Sequence, residues 1–298
     1  MMNSDNFARF LHNIGHSVRR EGGVYWYNVH PHVYTSFPFH RTVNPEEIKM
    51  NSILKCDGWI LRFPCAVEYG RSSYRIICDD SNYDLSKLST KARNQTRRGL
   101  EQCKVEQISF DELLRKGLSL NNQTLARQGR PIPKHHVEYW ERFCNQAGIV
   151  EGAEAWGAFI DKYLAAFLFA FRMDDCVNIL TVRSATEYLK YYPNNALLFS
   201  YIHSTLGKGS VREVSIGVES IQSDMAPLDH FKYGLGFRKV LIGQRVEFAS
   251  WLRPFMRGPI LKKLTRFAES RSERQRFSKL AGLLRWYQEQ PKISLSHL

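Results

Sequence analysis

The chain has 298 residues, 43% of them hydrophobic, and carries a net charge of +13 from 42 Lys/Arg against 29 Asp/Glu. That length and apolar share suffice for a sizeable core, and a mean hydropathy of −0.38 reads as a soluble protein. With a pI near 9.5, the balance points to an anionic partner: phosphates, nucleic acid or a lipid surface.

The N-terminal stretch lacks the apolar core and cleavage site of a signal peptide. Phe7, Leu11, Ile14 and Val18 instead recur at helical spacing, with Gly22-Gly23 as a stop. The segments "GVYWYNVH", "GWILRFPCAVEY" and "SYRIICDD" between residues 24 and 80 are aromatic and β-branched, the pattern of short strands. After "SNYDLSKLST" the pattern turns helical. Ser89 or Thr90 caps "KARNQTRRGLEQC", in which four of the first eight residues are basic.

A strand ("KVEQIS"), a helix ("FDELLRKGLSLNNQTLARQ"), the breaker "RPIP" and a second helix closed by Gly148 follow. Three strands come next, joined by the two-residue turns Asp161-Lys162 and Asp174-Asp175. The middle one contains "YLAAFLFAF", the longest apolar run and far short of the roughly 20 residues of a membrane span. A third helix begins at "NNALLFSYIHSTLGKG", with Asn194 or Asn195 as its cap, and leads to the strand "VREVSIGVE". The short helix "APLDHFKYG" and the strand "FRKVLIGQRVEF" close the alternating part. This order predicts a mixed α/β sheet with helices on both faces.

The six cysteines, at 56, 65, 78, 103, 144 and 176, form no Cys-x-x-Cys pair. His30, His32, His135 and His136 are too isolated for a metal site, so free thiols and no metal are expected. A cytoplasmic protein, free or peripheral at the inner membrane face, is the expectation.

Over residues 83 to 248 the element order resembles the GNAT (N-acetyltransferase) fold. Acetyltransferases of that fold end on a helix reading approximately A-x-x-L-Y-x-x-x-G-F, a frame occupied here by Ala226, Phe231, Lys232, Gly236 and Phe237. Lys232 stands near the position of their leaving-group tyrosine. "FKYGLGF" is similar to the F-K-x-x-F-G stretch of the FemABX peptidyltransferases, a branch with lysine there. "LSTKARNQTRRGLEQCKVE", "LARQGRPIPKHHVEYW" and "YYPNNALLFSYIHSTLGKGSVREVSIG" resemble that branch's basic helix, acceptor-side segment and P-x-x-A-L helix. The resemblance covers a little over half of the chain.

It implies a GNAT-like acyltransferase domain at 83–248, a reduced N-terminal β-rich half at 1–82, and a basic helical tail at 249–298. The chain departs from the family in three ways. Residues 1–82 are too short for a second complete domain, no helical arm for transfer RNA is evident, and "KYYPNNA" replaces the glycine-rich loop that cradles coenzyme A. Acyl-CoA and aminoacyl-tRNA therefore both stay open as donors.

The resemblance assigns Lys232 to the leaving group or the oxyanion, where an ammonium favours developing negative charge. A solvated lysine at a helix end is the alternative. Glu219, just after a strand, is a candidate base for the incoming amine. Phe231, Tyr192, Asn194 and Asn195 stand on the donor side. Arg127 and Arg130, around Gly129, suit a phosphate on the acceptor, such as a nucleotide-sugar or a lipid-linked precursor. Asp229 is placed to pair with Lys232 across three residues of helix.

In the tail, ten Lys/Arg face two Glu between Arg253 and Arg285. Ile260, Leu264, Phe267, Phe277, Ala281 and Leu284 fall near one helical stripe. That pattern predicts a basic amphipathic helix that meets an anionic membrane surface or RNA, or docks on its own domain. The expected activity is transfer of an acyl or aminoacyl group to an amino group of a peptidoglycan or polysaccharide precursor. The alternative is a non-catalytic RNA- or membrane-binding protein of the same fold.

Overall fold

The structure, a computed structural model, describes residues 4–222 and 226–293. The chain opens with α1 (Ser4–Asn13), β1 (Val18–Glu21), β2 (Val24–His30), β3 (Val33–Phe37), the single turn α2 (Asn51–Leu54), β4 (Ile60–Cys65) and β5 (Arg71–Cys78). It continues through α3 (Thr90–Gln102), β6 (Lys104–Ile108), α4 (Phe110–Arg127), α5 (His136–Ile149), β7 (Ala153–Ile160), β8 (Tyr163–Met173) and β9 (Cys176–Ser184). Then come α6 (Pro193–Gly207), β10 (Glu213–Val218), α7 (Ala226–Gly234), β11 (Arg238–Phe248), and the tail helices α8 (Gly258–Glu269) and α9 (Gln275–Glu289). The class is mixed α/β, as the element order predicts.

The first helix is shorter than the Phe7-to-Val18 spacing predicts. It ends at Asn13, Gly15 turns to φ 101°, and Val18 lies in β1. Gly22 and Gly23, at φ 57° and 76°, form the turn of the β1–β2 hairpin, in which Glu21 faces Val24. Two consecutive positive φ values are what a two-residue hairpin requires, and glycine reaches them without a Cβ clash.

The chain divides into two compact units, each discontinuous in sequence. Of the described residues, unit 1 holds 4–14, 76–217 and 226–238, and unit 2 holds 15–75, 218–222 and 239–293.

Within unit 1 the strand order is β10-β9-β8-β7-β6. β6 to β9 run antiparallel, with Asp161 (φ 53°) and Asp174 (φ 56°) taking the strained position of the two predicted turns. β10 joins β9 in parallel, with Glu213 opposite Cys176, which requires the crossover that α6 supplies. β8 is buried from Leu164 to Phe171, so its apolar run belongs to a strand covered on both faces. On one face α1 packs Phe7 against Phe171 at 4.8 Å and Phe10 against Phe169 at 5.7 Å between ring centres, both pairs tilted. Leu113, Leu120, Trp140, Cys144 and Phe167 join α4 and α5 to the sheet. Each fully buried phenylalanine of β8 stabilises this core by about 1.5–3 kcal/mol.

Within unit 2 the order is β1-β2-β3-β4-β11, with β3–β4 parallel and the other neighbours antiparallel. Trp26, Tyr34, Met50, Ile53, Leu61 and Phe63 form one core. A second core holds Phe248, Met256, Leu261, Ala281, Leu284 and Trp286, and so fastens the tail helices. The single apolar stripe expected along the tail is not what forms. The chain breaks between α8 and α9, and α8 buries Leu261, Thr265 and Ala268 instead. Ile260, Leu264 and Phe267 remain 48%, 38% and 48% exposed, whereas Ala281 and Leu284 are buried as expected.

Candidate active site

The stretch Phe231-Lys-Tyr-Gly-Leu-Gly-Phe237 is a helix stop docked on α3. Gly234 closes α7, Gly236 turns at φ 85°, and the N–H groups of Leu235 and Phe237 donate to the Lys232 carbonyl at 3.0 and 3.3 Å. Leu235 and Phe237 are buried. The Tyr83 hydroxyl donates to the Leu235 carbonyl at 2.8 Å, and the Ser89 N–H donates to the Gly234 carbonyl at 2.9 Å. A Cβ at Gly234 would stand 3.2 Å from Ser89 Oγ and 3.3 Å from Ala92 Cβ, so glycine permits this approach.

This docking buries Lys232. The residue is only 9% exposed, and its Nζ donates to Asp229 Oδ1 at 3.1 Å. A solvated helix-end lysine is thereby excluded. A desolvated ammonium is costly unless paired, and it acts more strongly on nearby charge than one in water. Phe231, beside it, is half-buried. With Lys232 inside the fold, replacing it is not structurally neutral, contrary to what a helix-end position suggests.

The donor-side residues gather where β9 runs into α6. Tyr192, in the left-handed region at φ 56°, is the residue before the helix, and Pro193 occupies the first helical position. The cap is therefore Tyr192 and not Asn194 or Asn195, because Pro193 fixes the helix start two residues earlier than the asparagine pattern suggests. The Tyr192 carbonyl accepts from the N–H groups of Asn195 and Ala196 at 3.1 and 3.2 Å. Proline has no N–H, so this helix start offers fewer backbone donors than a glycine loop. Side chains take their place. Asn194 Nδ2 donates to Ser184 Oγ at 3.2 Å. Asn194 Oδ1 and Asn195 Nδ2 are buried without a hydrogen-bond partner among the described residues.

Arg127, at the end of α4, converges on the same serine. Its guanidinium donates to the Ser184 carbonyl (2.9 Å), Ser184 Oγ (3.0 Å), Thr124 Oγ1 (3.1 Å) and Thr186 Oγ1 (2.7 Å). Burial lowers its pKa. Arg127 and Asn194, predicted for opposite substrates, thus meet at Ser184. Arg130 turns back after Gly129, its N–H bonding the Leu125 carbonyl at 2.9 Å.

Arg183 completes this basic corner, and the sequence gives no motif for it. Burial, and then the charge of Arg130, lower its pKa, while its Nε donates to Asn121 Oδ1 at 2.6 Å. Its only sequence signal is a cation one residue before the last in an otherwise uncharged strand. A cavity of about 530 Å3 adjoins, lined in part by Lys116, Gln123, Lys162, Tyr163 and Tyr188. Gln123 links it to Arg127 through Thr186, whose N–H donates to Gln123 Oε1 at 2.7 Å.

Glu219 belongs to unit 2, whereas Lys232 belongs to unit 1. Glu219 Oε2 accepts from Arg71 Nη1 at 2.7 Å and Ser73 Oγ at 2.8 Å, and its carbonyl accepts from Arg62 Nη2 at 3.1 Å. Burial works against the Arg71 charge, but hydrogen bonds to Glu219 and Glu289 outweigh it and raise its pKa. Burial pushes Arg62 down to about 10 despite the Glu219 charge. Both guanidinium groups lie 4.8 Å from the ring centre of Trp286.

Among the described residues, no three His, Cys, Asp or Glu side chains gather as a metal site, and no helix is long and apolar enough to cross a membrane.

No protein-family model matches the sequence, and no curated protein matches it either. Solved structures do match by fold. FemX aligns with a TM-score of 0.58 at 12% identity, over 84% of this chain and 92% of its own. The C-terminal domain of a putative lysylphosphatidylglycerol synthetase from Agrobacterium fabrum aligns at 0.54 and 12% identity, over 82% and 90%. L-PGS from Bacillus licheniformis aligns at 0.50 and 13% identity, over 85% and 89%. The chain therefore shares its fold with FemX, with the putative lysylphosphatidylglycerol synthetase domain and with L-PGS.

Proposed function

We propose that the protein is an acyltransferase that moves an aminoacyl or acyl group onto an amino group of a cell-envelope precursor. The observation that carries this reading is the buried Lys232–Asp229 pair, held at the end of α7 by the glycines and by α3. A fold without chemistry at this position has little reason to desolvate an ammonium, since a buried pair seldom improves on apolar packing. The names of the fold neighbours fit: one is a putative lysylphosphatidylglycerol synthetase.

In the proposed reaction the acceptor amine attacks the acyl carbonyl, and the Lys232 ammonium favours the oxyanion that forms. As the bond to the leaving oxygen or sulfur breaks, Lys232 supplies the proton, and Asp229 keeps the ammonium oriented. The amine's proton leaves to solvent; Glu219, the base suggested by the sequence, holds Arg71 and Ser73 within unit 2. Phe231 is proposed as an apolar wall, and Tyr192, Asn194 and Asn195 as the donor cradle. Asn194 Oδ1 and Asn195 Nδ2 are left for ligand atoms. The basic corner of Arg127, Arg130 and Arg183 faces the charge of the acceptor.

The donor is an acyl-CoA or an aminoacyl-tRNA. Pro193 in place of a glycine loop favours the latter, as does α3, on which Lys91, Arg97 and Arg98 are exposed. We place the protein in the cytoplasm. A second reading, a non-catalytic RNA or membrane binder, draws on the same Pro193 and on the basic tail. Titration with an acyl-CoA and, separately, with charged and uncharged tRNA tests the choice. Preference for the charged tRNA supports aminoacyl transfer. Saturable acyl-CoA binding that survives moderate salt supports acyl transfer. Equal affinity for both tRNA forms, falling steeply with salt and without acyl-CoA binding, favours the second reading.

A further inference from the structure

Unit 2 contains a half-open cavity of about 730 Å3 that has no part in the transfer chemistry proposed above. Five cations line it, Arg245, Arg253, Arg257, Lys262 and Lys292, against a single carboxylate, Glu247. Such an excess of one sign around a concave surface attracts an anion, most strongly where the wall is buried.

Two of these cations are built into the wall. Arg245 is 4% exposed; its Nη2 pairs with Glu247 Oε1 at 2.6 Å, and its Nη1 donates to the carbonyls of Tyr69 (2.7 Å) and Pro291 (3.2 Å). Arg253 donates through Nε to the Phe248 carbonyl at 3.4 Å. Both keep a donor in reserve. Arg245 Nε and Arg253 Nη2 are buried and have no hydrogen-bond partner among the described residues. Buried guanidinium donors are normally satisfied, so two orphans on residues lining one cavity mark the place of an acceptor. Arg257 and Lys262, both exposed, stand on the same wall from the start of α8.

We propose that this cavity binds a phosphate-bearing ligand. Glu247 offsets Arg245, and the other four cations are left to match the charge of a phosphate. Forked guanidinium donors fit its oxygens, while Met256, Leu261 and Tyr287 supply apolar wall for the organic part. The segment that provides Arg253, Arg257 and Lys262 also exposes Trp251 (54%), Phe255 (50%) and Ile260 (48%). Aromatic and aliphatic side chains interleaved with cations are the composition of a lipid-surface contact. The phosphate can thus come from a lipid headgroup or from a soluble ester. The site does not rest on the transfer reaction.

The test uses the full chain with two probes: vesicles of phosphatidylglycerol in phosphatidylcholine, against phosphatidylcholine alone, and glycerol phosphate followed by thermal shift. Two double variants are compared. Arg257→Gln/Lys262→Gln removes two exposed lining charges without touching the core, and Lys263→Gln/Arg266→Gln removes the same charge from α8 outside the lining. The expected result is binding of at least one probe, weakened about tenfold or more by the first pair and little changed by the second. Vesicle binding without a glycerol phosphate shift identifies a lipid headgroup, and the reverse identifies a soluble ester. No binding of either probe, or equal losses in both variants, overturns the proposal.

Discussion

Removing the Lys232 ammonium leaves the Asp229 carboxylate in a site shaped for an ion pair, and the cost follows from the exposures. Lys232 is 9% exposed and the Asp229 side chain 18%. Breaking a fully buried pair costs about 3–5 kcal/mol, and an exposed pair is worth roughly 0.2–1 kcal/mol. Partial access to water at Asp229 places Lys232→Ala between these, at about 2–3 kcal/mol, which includes the packing lost with the lysine stem. For a protein of this size that is a fall in Tm of about 3–5 °C. Lys232→Met with Asp229→Asn removes both charges at similar volume and should lie within about 1 kcal/mol of wild type. Differential scanning calorimetry of the two single variants and the double variant measures the coupling directly. If Lys232→Ala melts within about 1 °C of wild type, the lysine is not held as described and the catalytic argument loses its basis.

Gly99 on α3 lies so close to α6 that a Cβ would stand 2.7 Å from the Tyr192 carbonyl oxygen. Gly99→Ala should therefore destabilise by about 1–3 kcal/mol through overpacking, and an unchanged urea midpoint would contradict that. Hydrogen bonds from Arg238 pull the Asp79 carboxyl below its usual range. That contribution is present above the unfolded-state pKa and is lost as the pH falls through the depressed folded value. Arg238→Gln should flatten the acid limb of a stability–pH curve, and parallel limbs would count against the pair. Only Cys56 among the six cysteines is exposed, and burial raises the thiols of Cys65 and Cys144 to about 12. One thiol should react quickly with a disulfide reagent in the native protein and six after denaturation. Two or more fast thiols would contradict this burial pattern.

What the sequence reveals, and what it hides, follows from the range of the forces involved. The turns at Asp161 and Asp174, the Ser89 cap and the order of elements after residue 83 depend on local conformation, and residue type reports that directly. Helical spacing overextends the first helix because Val18 continues it by accident, while Gly22-Gly23 serve equally as a helix stop and a hairpin turn. On α8 two adjacent stripes are both apolar enough to be buried. Only packing against Met256, Leu284 and Trp286 chooses Leu261 over Ile260. Of the site, the pairing of Lys232 with Asp229 is legible from helical spacing. The burial of Lys232 is not, because that depends on Tyr83 and Ser89, more than a hundred residues away in sequence. Arg183 and Asn121 were invisible for the same reason.

The central claim, transfer assisted by a buried lysine, is tested most directly by single-turnover assays with an amine-bearing peptidoglycan precursor. Wild type and the Lys232→Met/Asp229→Asn variant are compared with a charged tRNA and with an acyl-CoA. We expect transfer by wild type from one of the two donors, reduced by about 10²–10⁴-fold in the variant while its Tm stays close to wild type. Equal rates in the two proteins would contradict the account.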